Sequence, residues 1–166
     1  MAYRNKTYVI FDADTDILSY RLMQAWKEHD HIDFDFNNAH ELNTLLKDST
    51  EETIKRKLRD RMNNTKQVIV LVGVATKYLF KFVRWEIDLA LEMGLPIVVV
   101  NLNNKRRHDG DLCPAILKNQ TCMNVSFQMK IIRHALDDYV LRFNQGEFEK
   151  GMPRYYSEDV YRNLGL

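Results

Sequence analysis

The chain has 166 residues, 45% of them apolar and 28% charged, with a formal net charge of +1. That length fits one domain with room for a real core. A charge so near zero excludes a general attraction to nucleic acid or to an anionic membrane.

In chain order, MAYRNKTYVIFDAD lacks the cleavage pattern of a signal peptide and leads into TYVIF (Thr7 to Phe11), a short, β-branched run of the kind that forms a buried strand. Asp16 is expected to cap a helix over Ile17 to Glu28, which carries Leu18, Leu22, Ala25 and Trp26 at helical spacing. IDFDF (Ile32 to Phe36) alternates and suits a strand at or near a sheet edge, and the polar stretch Asn37 to Asp48 is a candidate functional loop. In STEE, Ser49 and Glu52 stand as the two ends of a capping box, opening a helix that runs to about Met62.

QVIVLVG (Gln67 to Gly73) and PIVVVNL (Pro96 to Leu102) are almost continuously apolar, the mark of central parallel strands covered on both faces. Between them KFVRWEIDLALEMG (Lys81 to Gly94) reads as a helix closed by Gly94 and Pro96. A second polar loop spans Asn103 to Cys113, TCMNVSF (Thr121 to Phe127) is a fifth strand, and Met129 to Phe143 a last helix. This alternation predicts an α/β fold, a flavodoxin-like three-layer sandwich with a five-stranded parallel sheet in the order 2-1-3-4-5. Residues 1–143 form the domain, and residues 144–166, with aromatics among charges, form a tail that packs on the domain or on a partner. No apolar run approaches the roughly 20 residues of a membrane span. Cys113 and Cys122 form no CxxC pair, so the expected compartment is the reducing cytoplasm.

One residue breaks the pattern of its helix. At about 100° per residue, Lys81, Arg84, Asp88 and Glu92 share a narrow polar arc, while Glu86 falls among Phe82, Val83, Ala90 and Met93. A carboxylate there needs water, a basic partner or a ligand, because burial alone costs several kcal/mol or raises its pKa. An ion pair or a solvated edge explains it as well as a functional site does. Its place is suggestive, because ligands of such sheets bind beyond the carboxyl ends of the strands, and Glu86 lies a turn or two into the helix after the third strand.

FDADTD offers a second constellation. A strand ending in DxD resembles the magnesium pockets of haloacid-dehalogenase-type phosphatases, which would make Asp12 and Asp14 the working pair. Asp16 stands where that pattern wants Thr or Val, and no later strand supplies a clear lysine or aspartate pair. GxSxG, GxGxxG and P-loop signatures are absent.

YVIFDADTD, IDFDF, STEETIKRKLRDRM, VIVLVG and KFVRWEIDLALEMGLPIVVVNLN follow one another as in bacterial TIR-like (Toll/interleukin-1 receptor-like) domains, and the chain resembles the TIR-like signalling component of Thoeris anti-phage defence from about Thr7 to Phe143. The strand, glycine and helix unit ending in VRWEI is the most specific part. Phe82 stands where many TIR domains have Trp.

The resemblance implies a flavodoxin-like fold and, for catalytic members, cleavage of NAD between nicotinamide and ribose, giving ADP-ribose or a cyclised isomer that acts as a messenger. It implies Glu86 as the catalytic residue. Phe11, Asp12, Ala13 and Asp14 would flank the nicotinamide end, and Trp85 would stack on a ring or serve the core. NAD is then the substrate, with no metal required. Self-association that completes the site and an effector protein reached through the messenger are the implied partners. A non-catalytic TIR-like interaction module is the alternative, and a magnesium-dependent phosphoryl-transfer or nucleotide-binding protein using Asp12 and Asp14 the more distant one.

Overall fold

The computed structural model describes residues 6–29, 35–37, 49–79 and 81–166. Its elements are β1 (Lys6–Ile10), α1 (Ile17–His29), β2 (Asp35–Asn37), α2 (Glu51–Met62), β3 (Gln67–Val72) and α3 (Phe82–Glu92), followed by β4 (Ile97–Asn101), β5 (Met123–Ser126), α4 (Met129–Asn144), β6 (Arg154–Tyr155) and α5 (Glu158–Asn163). Most of the expected strand over Ile32 to Phe36, and nearly all of the loop Asn37 to Asp48, lie outside the described residues.

Among the described residues the strands form one six-stranded sheet in the order β2-β1-β3-β4-β5-β6. Every neighbouring pair is parallel. The flavodoxin-like order is therefore present, with one strand more than the sequence suggests. The addition comes from the tail, where Arg154 and Tyr155 align with Met123 and Asn124. The Arg154 N–H donates to the Cys122 carbonyl at 2.8 Å, and the Asn124 amide donates to the Arg154 carbonyl at 3.2 Å. Those bonds satisfy part of an edge that β5 would otherwise leave open.

Side-chain alternation along the strands divides the core into two layers. Tyr8, Ile10, Val68, Val70, Ile97 and Val99 face α2 and α3. Val9, Phe11, Ile69, Leu71, Val98 and Val125 face α1, α4 and the tail. Every residue of β3 and β4 is buried, as strands covered on both faces require. α1 turns Tyr20 and Met23 into the core and leaves Leu18 and Leu22 exposed. The apolar spacing of Leu18 and Leu22 is thus not the buried stripe; Tyr20 takes that role by stacking on Phe11, with ring centroids 4.5 Å apart.

The helix ends show how local chemistry fixes α3. α2 is capped by Thr50, whose hydroxyl accepts from the Thr53 N–H at 3.3 Å, one residue beyond the serine expected to do so. α3 closes at Gly94, whose φ is +65°. The Leu95 N–H donates to the Ala90 carbonyl at 3.1 Å and the Gly94 N–H to that of Leu91 at 3.0 Å, the paired bonds of a Schellman turn. The tail is anchored by Tyr161, fully buried, whose hydroxyl accepts from the Ser126 N–H at 3.2 Å. Arg106 covers its ring at 4.1 Å and pairs with Glu158 at 2.6 Å.

A Cβ at Gly94 would meet nothing within 4 Å, so Gly94→Ala tests backbone strain alone. The substitution is expected to cost about 1 kcal/mol and to lower Tm by about 2 to 4 °C in a thermal melt.

Candidate active site

The loop that feeds α3 is built by short-range hydrogen bonds. The Gly73 N–H donates to the hydroxyl of buried Thr76 at 2.8 Å, and the Tyr78 N–H to the Ala75 carbonyl at 3.0 Å. This turn delivers the chain into α3 with Val83, Ile87 and Ala90 against the sheet. On the opposite arc Arg84 and Asp88 pair at 3.1 Å, and Glu92 reaches Arg59 at 3.1 Å, all in contact with solvent. Glu86 follows the buried arc and is only 5% exposed.

Two polar groups answer it. The Arg61 guanidinium, from the last turn of α2, and the Tyr8 hydroxyl, from the middle of β1, both favour the ionised carboxylate. Burial outweighs them and pushes the Glu86 carboxyl up to about 8. The Tyr8 ionisation is also raised, chiefly by burial and then by the neighbouring Glu86 charge, so its hydroxyl keeps its proton.

The loop after β1 is organised separately. One oxygen of buried Asp12 accepts the Asp14 N–H at 3.0 Å, the other accepts the Thr15 hydroxyl at 2.6 Å, and the Asp12 carbonyl accepts the Asp16 N–H at 2.8 Å. Asp12 therefore shapes the turn into α1. Asp16 stands at the N-cap position, its carbonyl accepting the Tyr20 N–H at 3.2 Å, but its carboxylate lies flat against Gly73. A Cβ on that glycine would come within 2.5 Å of both carboxylate oxygens. Asp16 is 7% exposed, its Oδ2 closes no hydrogen bond, and burial followed by the Asp12 charge raises its pKa.

Of the residues singled out from sequence, Phe11 and Ala13 belong to the core layer under α1. Asp12 is buried in its own turn, and Asp14 is exposed at the rim. Trp85 is half-buried on the α2 side, edge-on to Phe82 at 5.6 Å with the Lys55 ammonium 5.0 Å above its ring. It lines a cavity of about 150 Å³ with Lys55, Leu58, Arg59, Asp88 and Glu92, and Glu86 is not among those lining residues. The groups that meet Glu86, Tyr8 and Arg61, escaped the sequence reading. The available signal was a hydroxyl-bearing ring inside a strand read as buried, TYVIF. Among the described residues no group of three or more His, Cys, Asp or Glu could hold a metal ion.

Residues 8–107 match the family model described as Thoeris protein ThsB, TIR-like domain. That span runs from β1 past the end of β4 and contains Tyr8, Arg61 and Glu86.

The raised Glu86 pKa makes stability depend on pH. From the ordinary value of 4.5 up to about 8 the folded chain holds a proton that the unfolded chain has lost, so stability falls as pH rises through that window. The integrated penalty is at most about 5 kcal/mol. Glu86→Gln removes it. In denaturant titrations the variant is expected to match or modestly differ from the parent near pH 5 (about the lower edge of the window) and to exceed it increasingly toward pH 8.

Proposed function

Because the chain belongs to the family of the Thoeris protein ThsB TIR-like domain, whose role is signalling in anti-phage defence, we propose that it cleaves NAD+ at the nicotinamide–ribose bond. The products are nicotinamide and ADP-ribose or a cyclised isomer, which carries the signal to an effector protein. The observation that carries this reading is the burial of Glu86, a single acid held out of water on the helix after β3.

The chemistry follows from where charge appears. Nicotinamide is cationic within NAD+ and departs neutral with the bonding electron pair, so its departure requires no general acid. Positive charge then grows on the ribose, as in glycoside hydrolysis. A carboxylate in a water-poor setting stabilises that charge far better than one in bulk water. The same acid, with its pKa raised to about 8, is a stronger base than an ordinary carboxylate. It can therefore take the proton of the water, or of the ribose hydroxyl, that attacks the anomeric carbon.

In this reading the loop after β1 borders the nicotinamide half. Asp12 fixes its shape, Ala13 and Phe11 back it from the core, and exposed Asp14 forms its rim. Trp85 serves the packing of α3 on α2, with Lys55 over its ring. NAD+ is the substrate and no metal takes part.

A second reading, a TIR-like interaction module, draws support from the loop after β3, where Val74 is 70% and Tyr78 61% exposed. Apolar side chains turned to water beside the site suit a surface that another protein covers. Self-association at this loop would satisfy both readings.

Nicotinamide release from NAD+ distinguishes them. Glu86→Gln is expected to lower the rate by about 100-fold or more, and equal rates in both proteins would end the assignment. In the parent, kcat/KM is expected to rise with pH toward an inflexion near 8, because the ionised form does the work.

A further inference from the structure

Tyr8 occupies the centre of β1, fully buried, between Thr7 and Val9. Phenylalanine would fill nearly the same space with no polar atom to satisfy. Yet the chain keeps a hydroxyl here, and its oxygen closes no well-aligned hydrogen bond in the folded chain. Buried polar atoms without partners are uncommon enough that each calls for a cause. The helix packed on β1 here is α3, and it presents Glu86, also buried, as the polar group that acts on the Tyr8 hydroxyl.

We infer that Tyr8 is a positioning residue for Glu86, whose hydroxyl donates to the carboxylate when it ionises and leaves the second carboxylate oxygen free for the ribose. The inference rests on the role given to Glu86 above. A hydroxyl suits this task because it both donates and accepts. With Glu86 neutral, the acid proton can point to the Tyr8 oxygen. With Glu86 ionised, the tyrosine turns its own proton toward the carboxylate, so the pair remains satisfied in either state. Tyr8 does not itself lose that proton, because burial and the Glu86 charge disfavour a phenolate.

The surroundings assign complementary tasks. From α2 Arg61 supplies charge to Glu86, and from α1 Tyr20 adds to the field at Tyr8. Arg61 is a half-buried residue in the last turn of α2 whose charge favours the ionised carboxylate. Tyr8 is locked by the sheet: its strand pairs with β2 on one side and β3 on the other. A donor on a strand paired on both sides can hold one carboxylate oxygen in a fixed place.

The experiment is a carboxyl-carbon NMR titration of Glu86 in the full chain, for the parent and for Tyr8→Phe, with thermal melts to verify folding. Removing the hydroxyl is expected to raise the Glu86 midpoint by about one pH unit while Tm holds or rises. The acid limb of nicotinamide release should move with it. A midpoint unchanged in Tyr8→Phe overturns the pairing. Should that variant fail to fold, 3-fluorotyrosine placed at Tyr8 strengthens the donor and is expected to lower the midpoint; an unchanged value again overturns it. The titration needs no turnover, so absence of NAD+ cleavage would sink the proposed reaction and leave the pairing to be judged by NMR. An unshifted midpoint in an active protein would sink the pairing and leave the reaction standing.

Discussion

Desolvation of one carboxyl group sets the electrostatics beneath α3. Glu86 sits on the arc of α3 that also carries Val83, Ile87 and Ala90, so the packing that holds the helix on the sheet also carries the acid out of water. Apolar burial over several side chains outweighs the cost of one awkward group by a wide margin. The acid is thereby kept in a state it would not choose in water. Arg61 and Tyr8 offset only part of that cost, and the remainder appears as a pKa far above the ordinary carboxylate range. Burial of this kind costs the fold stability wherever the carboxyl would otherwise be ionised.

The sheet explains why three distant stretches of chain can cooperate. β1 lies between β2 and β3, at the place where the strand order reverses. Tyr8 therefore reaches the layer under α2 and α3, while its neighbours Val9 and Phe11 belong to the layer under α1. Arg61 comes from the last turn of α2, just before the chain enters β3, and Glu86 from the second turn of the helix leaving β3. Residues separated by more than 70 positions meet because parallel crossovers return each helix to the same face.

Much of this was legible from residue order. β3, β4 and α3 announce themselves through continuous β-branched runs and a helical wheel, and Glu86 stands out on that wheel without any structure. The family resemblance is borne out by the match over residues 8–107. The sixth strand was hidden because two residues, Arg154 and Tyr155, carry no periodicity; only the open edge of β5 gives them a use. Thr50 rather than Ser49 caps α2 because both are cap formers, and the backbone, extended at Thr50, decides between them. Leu18 and Leu22 misled because spacing shows that a stripe exists but not which stripe faces inward; the Phe11–Tyr20 stack sets the rotation of α1. Tyr8 and Arg61 could not be paired with Glu86 in advance, since that depends on the crossing of three elements.

The contact between Asp16 and Gly73 has a mechanical meaning. The carboxylate fills the space a side chain would need, so the entrance of α1 and the exit of β3 are in steric register. Gly73 is in turn tied to Thr76, in the turn that leads to α3. Gly73 is thereby fixed from two sides, and any larger residue there would have to displace the Asp16 carboxylate at the entrance of α1. The outer surface of α1, where Leu18 and Leu22 meet solvent, thus belongs to the same helix whose entrance this contact pins against β3.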